Sequence, residues 1–432
     1  MLPPELLQRI LNLVIVEDKD RLPGLTLVCR SWVHIIRSYQ YSHNVTIYIK
    51  GHQHDSRRYD CLEKIVGPKA RSPPTIPWDN ITQYTLAFTT AYGEDGKDFS
   101  RDWYIDAASK TLRLLSSRVR MNPESLVITV TKGRVGILHS PLLKETIIAA
   151  FPDITRLDLS VQRETFGNVF SFIPAFASLR VLELSCEAMP DTITSESVVH
   201  DLSLPPNLQS IHIRILSFAE SKEVPIRLNN YHRSGMVTEG GQYFSEWLLG
   251  QKDTLNLRHV SLLEFHDKLP GEAVLTLQNS VESLYISFPK DIERFNEIQK
   301  KAETPITAWN LTNLICLRTI TFDIPQLWYT LPHILRIIEQ TLKSVKSTAL
   351  WKITFIVCSE PLKRPECWTT LDQLLVSSFT AQIDIAVPSG RWPWNVYLQS
   401  KADSILPRVK GMGRLDVRLI QQHLYHPYRT FD

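Results

Sequence analysis

Histidine and cysteine side chains able to bind a metal cluster once in this chain, at His43, His52, His54 and Cys61. The spacing of His52 and His54 turns both rings to one face of a strand. A structural zinc site needs a second ligand pair at finger-like spacing, and none accompanies them. The stretch therefore reads as a solvated loop, with no metal and no cofactor expected. The motifs of covalent and nucleotide chemistry are missing: the chain has no Gly-x-Ser-x-Gly elbow, His-Glu-x-x-His helix, Gly-x-Gly-x-x-Gly fingerprint or Walker loop. Gly93, Gly96 and Lys97 lie too close together for a phosphate loop and are followed by Asp98, so they read as a turn. Gly411-Met412-Gly413 precedes a strand-like run, the wrong side for a dinucleotide site. No catalytic residue is assigned and no enzyme is expected, although scattered Asp and Glu leave open an α/β enzyme with an unrecognised site. Aromatic residues gather at Trp328-Tyr329 and Trp392-Pro393-Trp394, where they are either interface anchors or core.

Composition narrows the classes further. With 43% hydrophobic and 22% charged residues over 432 positions, the chain is globular and long enough for a large core. Lys plus Arg of 48 against Asp plus Glu of 45 leaves +3, with no basic tail, which speaks against nucleic-acid and membrane-surface partners. Cys29, Cys61, Cys186, Cys316, Cys358 and Cys367 form no Cys-x-x-Cys pair, so reduced, mostly buried thiols are expected. The opening MLPPELLQRILNLVIV carries Glu5 and Arg9 without a basic flank, unlike a signal peptide. No uncharged run reaches the roughly 18–20 residues of a membrane span. The expectation is a cytoplasmic or nuclear protein.

Two regimes position these residues. Beyond about residue 45, an apolar triplet recurs with two residues and then one between its members. It appears at Ile154–Leu157–Leu159, Leu179–Leu182–Leu184, Leu208–Ile211–Ile213, Leu257–Val260–Leu262 and Val281–Leu284–Ile286. It continues at Leu317–Ile320–Phe322, Leu350–Ile353–Phe355 and Met412–Leu415–Val417, with an earlier copy at Ile81–Tyr84–Leu86 and a degenerate one at Ile383–Ile385. Each ends with the period of a half-buried strand. Most steps run between 24 (284 − 260) and 36 (320 − 284), and one of 49 (260 − 211) holds a polar insertion at 217–241. Helical patterns fall between copies at 142–150, 242–249, 291–302, 333–343, 369–377 and 396–405, with Trp247 and Leu248, or Ile334, Ile337 and Ile338, facing inward. The fold class expected is α/β: parallel strands stacked side by side with helices outside, close to the period of leucine-rich repeats. A doubly wound α/β domain is the alternative, but its strands need no such likeness to one another.

Residues 1–40 are helical in pattern. Pro3 and Pro4 suit a helix entry and Glu5 its first turn. Leu6, Ile10 and Leu13 recur along one stripe with Leu7, Leu11 and Val14 beside it; a second run places Leu25, Val28, Trp32 and Ile35 together. Short helices cannot cover such wide apolar faces alone, so a partner surface is required, in the same chain or in another.

LPPELLQRIL followed by LTLVCRSW and HIIRS resembles the F-box, a three-helix module, here through Leu2, Pro3, Glu5, Leu6, Ile10, Leu27, Val28, Cys29, Arg30 and Trp32. The wording is similar to that of fungal F-box proteins with degenerate leucine-rich repeats, and it covers about the first tenth of the chain. Pro23-Gly24 falls inside the second helix of the pattern and shortens or bends it. The resemblance implies an F-box at 1–40 that binds a Skp-type adaptor, and through it a cullin, using Leu2, Pro3, Glu5, Leu6, Ile10, Leu11, Leu25, Val28 and Trp32. It implies that 41–432, irregular over 41–140 and clearer over 141–420, is a leucine-rich-repeat-like solenoid whose concave surface holds a protein substrate for ubiquitin transfer. An F-box scaffold acting without ubiquitin transfer is the alternative within the family.

Overall fold

Alternation along a strand sends every second side chain to the same face, so each apolar triplet commits one face of its strand to the core. The computed structural model describes residues 44–50, 81–89, 101–118, 123–131, 138, 140–165, 169, 171–189, 204–215, 256–263, 280–288, 308–324, 331–358, 361–389, 400–401 and 403–421. The central and last members of every triplet named above fall on strands, and every strand pair with a described register is parallel. The protein is α/β. Its chain forms two compact units, Met1–Leu179 and Arg180–Asp432.

The first unit orders its strands as β1 (Asn44–Lys50), β2 (Gln83–Thr89), β3 (Ser125–Thr131) and β4 (Arg156–Thr165). Val45, Tyr84, Leu126 and Leu157 are successive register partners, and the last three are fully buried. The region 41–140 is thus more regular than its sequence pattern implied. Pro123 occupies the first triplet position ahead of β3, which hid Leu126 and Ile128 from the pattern. Helix α1 (Arg101–Arg118) was also hidden, although Ile105, Ala108, Leu112 and Leu115 make a buried stripe at helical spacing. Helix α2 (Pro141–Ala150) starts where Ser140 Oγ accepts the Leu143 N–H at 3.4 Å and Pro141 supplies a pre-set φ. It ends at Phe151, which is fully buried and lies 5.4 Å from the Tyr84 ring.

The second unit adds β5 (Val181–Met189), β6 (Ser210–Ile215), β7 (His259–Leu263), β8 (Ser283–Ser287), β9 (Thr319–Ile324), β10 (Lys352–Val357), β11 (Gln382–Ser389) and β12 (Leu415–Gln421). Within this unit sequence order and spatial order coincide, so each strand after β5 joins the edge left by its predecessor. A doubly wound sheet reverses direction partway; this order does not. Leu182, Ile211, Val260, Leu284, Ile320, Ile353, Ile383 and Leu415 form one unbroken ladder of register partners. Seven are fully buried; Leu415, on the last strand, is half-buried. Met412, expected as the apolar lead of that last triplet, is 55% exposed, because a turn holds it outside the core.

Helix α3 (Leu331–Ser344) buries Ile334, Ile337 and Ile338 as expected, and α4 (Thr369–Ser378) covers the expected 369–377. Positions 400–401 and 403–405 are helical, within the expected 396–405. The expected helices at 242–249 and 291–302, and the insertion at 217–241, lie outside the described residues. Helix α5 (Pro407–Gly411) is capped from its neighbour: the buried Asp372 carboxylate on α4 accepts the Arg408 and Val409 N–H groups, both at 3.1 Å. Its other end is a Schellman turn, with Gly413 N–H donating to Lys410 O at 2.8 Å and Arg414 N–H to Val409 O at 3.3 Å. Gly413 has φ of 70°, so this glycine pair serves a helix stop and no ligand loop. No atom crowds its missing Cβ, so only backbone strain opposes a side chain there. Gly413→Val should cost about 1–2 kcal/mol in denaturant unfolding, whereas Gly411→Ala should leave stability unchanged or raised.

Candidate functional site

The face of the second unit's strands opposite the ladder carries the chemistry. One position after each ladder residue lies a second row of register partners: Glu183, His212, Ser261, Tyr285, Thr321, Thr354, Asp384 and Asp416. All are polar or carry a polar tip. Six are buried, Thr321 is half-buried and Asp416 is exposed. Such groups stay buried only when hydrogen-bonded or charge-paired.

The bonds are local. His212 Nδ1 and Ser261 Oγ stand 2.7 Å apart. Tyr285 Oη donates to Asp323 Oδ2 at 3.0 Å, and Ser287 Oγ donates to the same oxygen at 3.2 Å. Further along, Asp384 Oδ2 takes Lys352 Nζ at 2.8 Å and Arg418 Nη2 at 3.4 Å, one carboxylate between two cations. Beside this group Tyr285, Ile356 and Ala386 form an apolar cluster against which the half-buried Ile420 packs. The face thus offers apolar contact next to two cations that share one counter-charge.

Glu183, His212 and Ser261 bring the residue types of a nucleophilic triad to three adjacent strands. Acyl transfer also needs free N–H donors aimed at the developing oxyanion. β7 lies between two parallel neighbours, so its backbone groups serve the sheet, and Ser261 is fully buried. The His212–Ser261 bond satisfies two buried polar groups.

In the first unit the equivalent row holds Thr85, Val127 and Asp158 as successive register partners. Burial pushes the Asp158 carboxyl up to about 6, against the opposing pull of Arg156. Among thiols, Cys316 is exposed, contrary to the expectation of mostly buried cysteines, because it falls in the turn before β9. Cys358 and Cys367 are half-buried; burial, helped by Glu366, pushes the Cys367 thiol up.

Leu2, Pro3, Glu5, Leu6, Ile10, Leu11, Leu25, Val28 and Trp32 lie outside the described residues, as do His43, His52, His54, Cys61, Trp328, Tyr329, Trp392 and Trp394. The polar row was missed by a reading that followed apolar positions alone. Aligning the triplets and listing the residue after each central member would have exposed it. Among the described residues no group of His, Cys, Asp and Glu has a metal-binding arrangement, and no helix is long and apolar enough to cross a membrane.

Together these features define the class of protein: an α/β chain of parallel strands laid down in one direction, with a polar face opposite an aliphatic core. No protein-family model matches the chain, and no curated protein is significantly similar to it.

Proposed function

We infer that the chain is a substrate-recognition subunit of a Skp–cullin–F-box ubiquitin ligase. Residues 1–40 act as the F-box and the remainder as a leucine-rich-repeat-like solenoid that holds a protein substrate. The chain is non-catalytic: it works by proximity, raising the effective concentration of its substrate beside a charged ubiquitin carrier. The observation that carries the reading is the ordered N-terminal motif, Leu2-Pro3-x-Glu5-Leu6 through Leu27-Val28-Cys29-Arg30-x-Trp32, followed by strands in one-directional order. A broad apolar stripe on short helices gains about 1.5–3 kcal/mol for each Leu or Ile that a partner buries fully.

Co-expression with a Skp-type adaptor tests it. The full chain should co-purify with the adaptor, and Leu2→Ala combined with Pro3→Ala should weaken retention at least about tenfold, since two apolar contacts are lost. Retention unaffected by that pair of changes would overturn the assignment. Adding cullin and ubiquitin-transfer components to the purified complex then distinguishes a ligase subunit, which supports modification of captured protein, from an F-box scaffold, which does not.

A further inference from the structure

We propose that the lip of the second unit, the row of residues immediately before its strands, docks an extended acidic segment of a protein partner. The row is Arg180, Gln209, Arg258, Glu282, Arg318 and Trp351, one residue ahead of β5 through β10 respectively. All are exposed except Glu282, which is half-buried.

Their backbone is already fixed. Each peptide continues the sheet's hydrogen bonding one step past the strands: Gln209 N–H to Arg180 O, Arg258 N–H to Gln209 O, Glu282 N–H to Arg258 O and Arg318 N–H to Glu282 O, all at 2.8 Å, then Trp351 N–H to Arg318 O at 3.0 Å. The side chains therefore emerge from one edge of the sheet, from successive strands about 4.8 Å apart. Arginine occupies every second place, so the three guanidinium stems are spaced about 10 Å apart. Three residues of an extended chain span the same length, at about 3.1–3.3 Å each. A polyproline-like segment with a carboxylate at every third position presents one acid to each arginine. Guanidinium takes a carboxylate as a two-pronged pair, which gives direction as well as attraction.

Charge and shape favour an acidic polypeptide over nucleic acid. Glu282 stands between two of the arginines, with Oε1 4.0 Å from Arg258 Nη1 and Oε2 3.6 Å from Arg318 Nε. It steers both guanidinium groups along the row, but it would repel a continuous phosphate backbone. Among the described residues no acid is paired with Arg180, and the row itself holds three positive charges against one. At its far end Trp351 exposes 56% of its surface, with Lys352 Nζ 5.6 Å from the ring centroid. An exposed indole at the end of an arginine row has the composition of an interface hot spot. The partner segment thus carries acids in its body and an apolar residue at one end.

The inference deepens the substrate-holding reading and rests on it, but its test needs no adaptor, so failure of one is distinguishable from failure of the other. Binding of a fluorescent Glu-Ala-Pro repeat peptide ending in Leu should be measured on the full chain by anisotropy. Arg180→Glu, Arg258→Glu and Arg318→Glu together should weaken binding at least about tenfold, while Lys343→Glu on α3 with Lys346→Glu just after it should leave it unchanged. Glu282→Gln should tighten it about threefold, a gain that misfolding cannot imitate. Absence of binding, indifference to the arginine reversals, or tighter binding of a phosphoserine peptide or single-stranded DNA of equal charge would each overturn the proposal.

Discussion

Trp368→Ala is expected to lower the unfolding free energy of the second unit by about 3–5 kcal/mol, the range for deleting a fully buried large aromatic. Trp368 is 0% exposed and is the largest fully buried side chain of the described residues. Its ring meets Phe355 edge-on with centroids 5.8 Å apart, and Phe355 stacks on Phe322 of the adjacent strand at 5.8 Å. The indole N–H donates to Pro361 O at 3.2 Å, so alanine leaves a cavity and also removes one of that carbonyl's two donors, the other being Arg364 N–H at 3.4 Å. Trp368→Phe keeps most of the ring and loses the donor, and should cost about 1–2 kcal/mol. Trp351→Ala, which removes the same side chain from a 56% exposed position, should stay within about 0.5 kcal/mol of the parent. Urea titrations of the three variants check this: the midpoints should shift in that order with the slope unchanged. Equal losses at Trp351 and Trp368 would contradict the burial that separates them, and with it the availability of Trp351 to a partner.

The difference between these two tryptophans marks what is legible in sequence. The apolar triplets predict β2, β4 and every strand of the second unit, because a residue that must face the core declares itself by type and spacing. Their register was legible too: the central residues of the triplets are the ones that pair across strands, from Leu182 to Leu415. Strand β3 was lost because Pro123 is a poor marker of an apolar position, and α1 because its stripe is interrupted by polar residues on a helix outside the triplet period. The two cross-strand side-chain rows were not legible for a different reason. Each takes a single residue from every strand, and the residues joined, such as His212 and Ser261, are 49 positions apart (261 − 212). Only cross-strand pairing makes Arg180, Arg258 and Arg318 neighbours in a line, and variable loop lengths conceal that line from any fixed period. Trp351 shows the same effect at one position: its type suits core or surface equally, and its place ahead of β10 decides.

The second large effect depends on pH. Asp158 lies beside Val127 on the neighbouring strand, and burial raises its carboxyl from the ordinary 3.8 to about 6, with Arg156 pulling the other way. The folded protein therefore holds this proton more tightly than the unfolded chain does. Stability from the group is fully present below about pH 4 and is lost as pH rises through about 6. A rise of about two units corresponds to a loss of about 3 kcal/mol by pH 8. Asparagine has a similar shape and no charge to desolvate, so Asp158→Asn should be about 2–3 kcal/mol more stable than the parent at pH 8 and nearly equal to it at pH 4. The difference between the two proteins isolates this carboxyl from all others that titrate in the same range. Denaturant unfolding of both from pH 4 to 8 should give a gap that opens between pH 5 and 7. A gap that stays constant with pH would mean that Asp158 binds its proton equally well in the folded and the unfolded chain, against the rise that burial produces. A gap of opposite sign would mean that the carboxylate form makes bonds asparagine cannot replace.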